Sequence, residues 1–223
     1  MEIVQILFTM IVALHGARGL PNPQAHEDRL QGVALDMYGE GQARPIFVGE
    51  AAPEATALAL YAVAAHESGF WSKVQDCSAC YIGSRWCDQG RSVSLYQLQG
   101  PASWGPYSRE ELCSDNANAT RRARAVLARH RKAGSSLGLF IGYSRTRQVG
   151  EEMNQIFAAA CRKAGVVISH KEGHLRASFA KCPLTGVSVV AKQASCKVLP
   201  ERSGVQTTPM SLLMTTSESR SAQ

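Results

Sequence analysis

One carboxylate stands in a setting suited to chemistry. Glu67 lies in the stretch Ala62-Val63-Ala64-Ala65-His66-Glu67-Ser68-Gly69-Phe70, at the end of an Ala-rich helical pattern and just ahead of Phe70 and Trp71. A helix C-terminus carries partial negative charge, and aromatic neighbours strip water from a carboxylate, so both disfavour the anion. A carboxyl group kept protonated near neutral pH is what a general acid requires. The same residues also fit a solvated glutamate in a last helical turn with no chemical role.

Two other groupings could carry chemistry. Seven cysteines cannot all pair within one chain, and three of them, Cys77, Cys80 and Cys87, fall in one short stretch. Thiolates at this spacing, with His66 or Asp88, suit zinc in a reducing compartment, and the same cysteines suit disulfides in an oxidising one. No second close pair follows, so no metal or other cofactor is expected, and a disulfide within the cluster or free thiols is preferred. Arg121, Arg122, Arg124, Arg129 and Arg131, with His130 and Lys132, form a basic helical face that could hold phosphates. No aromatic residue is interleaved for base stacking, so a solvated face is expected and nucleic acid is not. A basic zinc-containing binding module is the non-enzyme alternative. His170 and His174 would make a metal pair only on a helix, and Gly173 between them points to a loop.

These residues need elements to hold them. Leu30, Val33, Ala34 and Met37 repeat at helical spacing within Glu27 to Tyr38, and the Gly39 to Gly41 pair is expected to end that helix. Pro53-Glu54 opens a helix marked by Leu58, Tyr61, Ala62 and Ala65, and Gly69 closes it. From Trp71 to Pro106 the composition turns to Cys, Gly, Ser and aromatics, which predicts loops and short strands. Ser114-Asp115 caps a helix with Ala123, Val126 and Leu127 on one face, stopping by Gly134. Another runs from near Gly150 through Met153, Ile156, Phe157 and Ala160 to Gly165. Val166 to Ile168 and Val187 to Val190 are candidate strands, and the Ser/Thr-rich tail after Pro200 lacks the apolar residues needed to order it.

Ile3 to Leu14 is apolar but too short to span a bilayer comfortably, and no other segment is a candidate span. It fits a signal-peptide core or an N-terminal core helix. Glu2 stands where a basic flank should be, and Gln5 and Thr9 interrupt the run. The expected division is an apolar segment over 1–23, a catalytic domain over 24–165, an extension over 166–199 and a disordered tail over 200–223.

A second motif follows Glu67. Gly90-Arg91-Ser92-Val93-Ser94-Leu95-Tyr96-Gln97-Leu98 is a Gly/Ser-rich segment ending in Gln and Leu, and Leu139-Phe140-Ile141-Gly142-Tyr143-Ser144 comes after a further helix. Helix-Glu-Ser-Gly-Phe followed by these two segments resembles the lysozyme-like superfamily, in particular soluble lytic transglycosylases and goose-type lysozymes. The resemblance covers residues 29–160. It implies a mainly α (α+β) lysozyme-like domain, to which the composition adds an irregular Cys-rich loop region and a disordered C-terminal tail. It implies Glu67 as catalytic acid/base, with Ser92, Tyr96, Gln97 and Tyr143 along the sugar cleft. Two departures stand out: Ser94-Leu95-Tyr96 replaces the family's Gly-Leu-Met, and Ser144 replaces an Asn that contacts sugar.

The implied substrate is the peptidoglycan glycan strand, cut at its β-1,4 bond between N-acetylmuramic acid and N-acetylglucosamine by a monomer. A hydrolase usually needs a second carboxylate, whereas a transglycosylase uses one acid/base and a hydroxyl of the substrate itself. Asp76 and Asp88 are the acidic residues between Glu67 and Gln97. A muramidase assisted by one of them is the alternative to the transglycosylase. The implied setting is periplasmic or extracellular, or phage-associated. With 24 Lys and Arg against 18 Asp and Glu, the net charge of +6 suits an anionic cell wall.

Overall fold

The computed structural model describes residues 3–14, 22–78, 81–82, 85–86, 92–132 and 134–180, which all belong to one unit, Met1–Lys181. Cys80, Cys87, Asp88, the candidate strand Val187 to Val190 and the tail after Pro200 lie outside the described residues.

The chain is mainly helical, and its centre is the helix that carries Glu67. That helix, α3 (Ala52–Glu67), has Ala55, Ala57, Leu58, Ala59, Leu60, Ala62, Val63 and Ala64 all without solvent exposure. Apolar residues on every side mark a helix enclosed by others rather than laid on a surface, which goes beyond the single stripe that its spacing suggests. The small alanines let neighbouring backbones approach closely. The buried Thr56 hydroxyl is satisfied: it donates to the Ala52 carbonyl at 2.8 Å and accepts from the Ile46 N–H at 2.9 Å.

Around α3 lie α1 (Ile3–Leu14), α2 (Pro23–Ala43), α7 (Asn116–Ala128) and α9 (Arg147–Ala164). In α1, Ile3, Leu7, Met10 and Ile11 are buried while Gln5 and Thr9 face outward, with Thr9 bonded back to the Gln5 carbonyl. The polar residues that break the apolar run are thus the outer face of a packed helix. No helix among the described residues is long and apolar enough to cross a membrane.

The expected stop of α2 at Gly39 to Gly41 does not occur, and the helix continues to Ala43. Gly41 serves packing instead. A Cβ there would stand 2.5 Å from the Pro53 carbonyl oxygen, so glycine is what allows α2 to touch the start of α3. At Gly69 the expectation holds, because φ of +55° there ends α3 in the left-handed region.

The remaining described elements are short. They are α4 (Ser72–Gln75), α5 (Gly100–Trp104), α6 (Arg109–Ser114), α8 (Ser136–Ser144) and three two-stranded antiparallel sheets. The sheets pair β1 (Tyr81–Ile82) with β2 (Arg85–Trp86), β3 (Ser92–Val93) with β4 (Leu98–Gln99), and β5 (Val166–Lys171) with β6 (His174–Phe179). The β5–β6 hairpin is tied to the approach to α3: Val48 donates to the Leu175 carbonyl at 3.0 Å and accepts from Ala177 at 2.8 Å. His170 and His174 fall on its opposite strands.

Candidate functional site

The chain leaves α3 under tight control. Ser68 donates its hydroxyl to the Ala64 carbonyl at 2.9 Å, and Phe70, at φ of +64°, is buried against Tyr61 with ring centroids 5.6 Å apart. Arg29 of α2 donates to the Phe70 carbonyl at 2.7 Å and to the Gln75 side chain. Burial holds that guanidinium below its ordinary pKa, with Asp76 opposing. The carboxylate that precedes this turn therefore sits on a fixed base, with its side chain 23% exposed.

A tight turn faces it. Between β3 and β4, Ser94 and Gln97 adopt φ of +65° and +47°, a conformation that costs a residue with a side chain about 1 kcal/mol. Contacts from two helices offset this cost. Tyr96 is fully buried, its hydroxyl 2.9 Å from the Thr120 hydroxyl of α7, and its carbonyl accepts from the Tyr143 hydroxyl of α8 at 2.7 Å. Gln97 donates to the Ser94 carbonyl at 3.1 Å.

Glu67, Gln97 and Tyr143 line one cleft of about 380 Å³, together with Arg129, His130 and Arg145. Burial is the main reason the Glu67 carboxyl lies above its ordinary pKa, and the neighbouring His66 opposes the rise. Burial also lifts the Tyr143 phenol far above its usual range, helped by Glu67 and Tyr96, so it stays a neutral donor. Among the described residues that line the cleft, Glu67 is the acidic one.

Not every candidate reaches this cleft. Tyr96 supports the turn from beneath, since its ring is enclosed and its hydroxyl is engaged, and Ser92 lies in β3 opposite Gln99. Ser144 lines the cleft, with its hydroxyl bonded to the Thr146 carbonyl at 2.8 Å. Asp76 is exposed and its Oδ1 accepts from both the N–H and the hydroxyl of Ser78, so it caps a turn outside the cleft.

The cysteine expectation needs a correction. Cys77 is bonded to Cys113 of α6, not to Cys80 or Cys87. A sulfur in a disulfide is no thiolate, which removes Cys77 from any metal set. The Cys77 sulfur also accepts the Ser94 N–H at 3.4 Å, so the bridge braces the turn that presents Gln97. The remaining described cysteine, Cys161, is buried, and burial pushes its thiol up to about 12.

The basic face is corrected as well. Arg122 is buried and donates to the Ser103 and Ala102 carbonyls at 2.6 and 3.1 Å, while Arg124 and Arg121 lie 3.1 and 3.8 Å from the Glu40 carboxylate. Arg122 and Arg124 thus hold α7 to its neighbours, while Arg121, Arg131 and Lys132 stay exposed as a solvated face. Arg129 and His130 lie in the turn just past α7 and reach the cleft, as does Arg145 at φ of +63° after α8. The basic run marks Arg129 and His130 but not their place in the cleft, and nothing local marks Arg145, because that place depends on where two helices end relative to each other.

Gly142 shows how closely the cleft wall is built. A Cβ there would stand 2.3 Å from Cγ of His130, and both residues line the cleft. Gly142→Ala must therefore swing the imidazole away. The expected result is a folded protein destabilised by about 1 to 3 kcal/mol, read by thermal denaturation. An unchanged melting temperature would show that the His130 side chain yields without cost.

Compared with family models, with curated proteins and with solved structures, the chain has no match.

Proposed function

We propose that this protein cleaves the glycan strand of peptidoglycan at the bond between N-acetylmuramic acid and N-acetylglucosamine, as a lytic transglycosylase in a lysozyme-like domain. The observation that carries this reading is the shared cleft. Glu67, Gln97 and Tyr143 come from three separate segments and line one groove, and Glu67 is its acidic group among the described residues.

The chemistry follows from one carboxyl group working twice. Raised by burial, Glu67 holds a proton that it passes to the glycosidic oxygen as the bond to the anomeric carbon breaks. The resulting carboxylate takes the proton of the substrate's own 6-hydroxyl, whose oxygen closes on the anomeric carbon. No water is consumed, a 1,6-anhydro sugar is left, and Glu67 ends protonated as it began. Gln97 supplies amide hydrogen bonds to the sugar from a turn whose geometry two helices maintain. Arg129 and Arg145 give the cleft a positive rim that suits an anionic polymer. The disulfide fits an oxidising setting, periplasmic or extracellular.

Incubating the protein with purified peptidoglycan and weighing the released fragments by mass spectrometry tests this. Fragments with anhydro ends are expected. Reducing ends would replace the transglycosylase with a muramidase that draws a second carboxylate from outside the described cleft, and intact peptidoglycan would overturn the glycosidase reading.

A further inference from the structure

We propose that His66, held in place by Glu152, is a positioning residue that sets the charge state of Glu67. The inference deepens the reading of Glu67 as the acid and rests on it.

Three observations meet at the imidazole. Its Nε2 lies 2.8 Å from Oε2 of Glu152 on α9, a helix remote in sequence from α3. Its Nδ1 is buried with no hydrogen-bond partner. The carboxylate nearest that nitrogen is Glu67, with Oε1 at 3.9 Å. A buried ring nitrogen without a partner is costly, so its orientation requires a reason.

Glu152 supplies the orientation. A carboxylate facing Nε2 keeps the hydrogen there, so in the neutral ring Nδ1 presents a lone pair toward Glu67. Gln148 donates to the other Glu152 oxygen at 3.2 Å and steadies it. The hydrogen bond from His66, and then that from Gln148, hold the Glu152 carboxyl below its ordinary range, so it stays an anion. A side-chain movement of about 1 Å brings Nδ1 and the Glu67 carboxyl into hydrogen-bond range.

When protonated, an imidazole so placed favours the Glu67 anion by its charge. That eases the loss of the Glu67 proton to the glycosidic oxygen and stabilises the carboxylate that must next take the proton of the 6-hydroxyl. The imidazole keeps its own proton throughout: Glu67 gives its proton to the glycosidic oxygen and recovers one from the 6-hydroxyl.

The other charged or titratable groups facing Glu67 are Arg129 and His130 after α7, Tyr143 on α8 and Arg145 after it. None of these is bonded to Glu152, so a Glu152 substitution reaches Glu67 through His66.

The test follows the Glu67 carboxyl carbon by 13C NMR across pH in the wild type, His66→Gln and Glu152→Gln, alongside the pH profile of peptidoglycan clearing. Loss of the imidazolium removes a charge that favours the Glu67 anion, so in His66→Gln its midpoint should rise by about one pH unit. Glu152→Gln, at a half-exposed site that tolerates change, should move it the same way by less. The alkaline limb of the clearing profile should follow both. A wild type that clears peptidoglycan while the Glu67 midpoint is identical in all three proteins overturns the inference and leaves the glycosidase reading standing. A wild type that clears nothing removes both.

Discussion

Glu67→Gln is expected to slow peptidoglycan clearing about a thousandfold, the usual worth of a general acid, while making the protein more stable. The two effects have one cause. Burial within the cleft disfavours the Glu67 anion, so its folded-state pKa lies above the unfolded value. Stability from such a group is fully present below the unfolded pKa and is lost as pH rises through the folded one. Glutamine keeps the shape of the protonated acid and does not ionise. The variant should therefore melt close to the wild type at about pH 4 and above it at about pH 8, where the wild type holds a poorly solvated anion. Clearing at the wild-type rate would sink the catalytic assignment. A melting difference that does not grow with pH would instead show that Glu67 carries no burial penalty.

The second large effect concerns the Cys77–Cys113 bridge. It closes a separation of 36 residues that includes β3, β4 and the Ser94 to Gln97 turn. Cross-linking a chain over that length removes unfolded-state freedom worth about 4 kcal/mol. The double variant Cys77→Ala/Cys113→Ala should accordingly melt roughly 10 °C lower. It should also clear peptidoglycan more slowly even where it is fully folded, because the Ser94 N–H loses its sulfur acceptor and the strained turn beneath Gln97 loses a brace. A variant with normal clearing well below its melting temperature would confine the bridge to stability.

Features that act over a few residues were legible before any coordinates. The end of α3 is one: the alanine run favours a helix and Gly69 accepts the left-handed conformation that stops it, both decided within a turn of the chain. The Asp115 cap of α7 is another, with its side chain accepting from the Asn118 N–H at 3.1 Å. The same local rules misjudged Gly41. Glycine has a second use, close contact between helices, and only the neighbouring Pro53 reveals which use applies. The helix α8 was not foreseen, since Gly138 and Gly142 weaken its pattern and its order depends on packing against α9, where a Cβ on Gly150 would stand 2.6 Å from Ile141.

The candidate site divides in the same way. By itself the sequence determined that an acid would stand at the end of a buried helix ahead of Phe70, because helix capping and apolar content are properties of neighbours along the chain. Tertiary structure alone decided which groups meet that acid. Tyr96 went into the core and Gln97 into the cleft, although they are adjacent, because Thr120 and Tyr143 grip the turn from two helices. Cys77 found Cys113 rather than its near neighbours, and Glu152 found His66 across 86 residues. Such pairings form only when burial of α3 has drawn its partner helices together and offset the entropy of closing the long loops between them, and no spacing within a single segment encodes that.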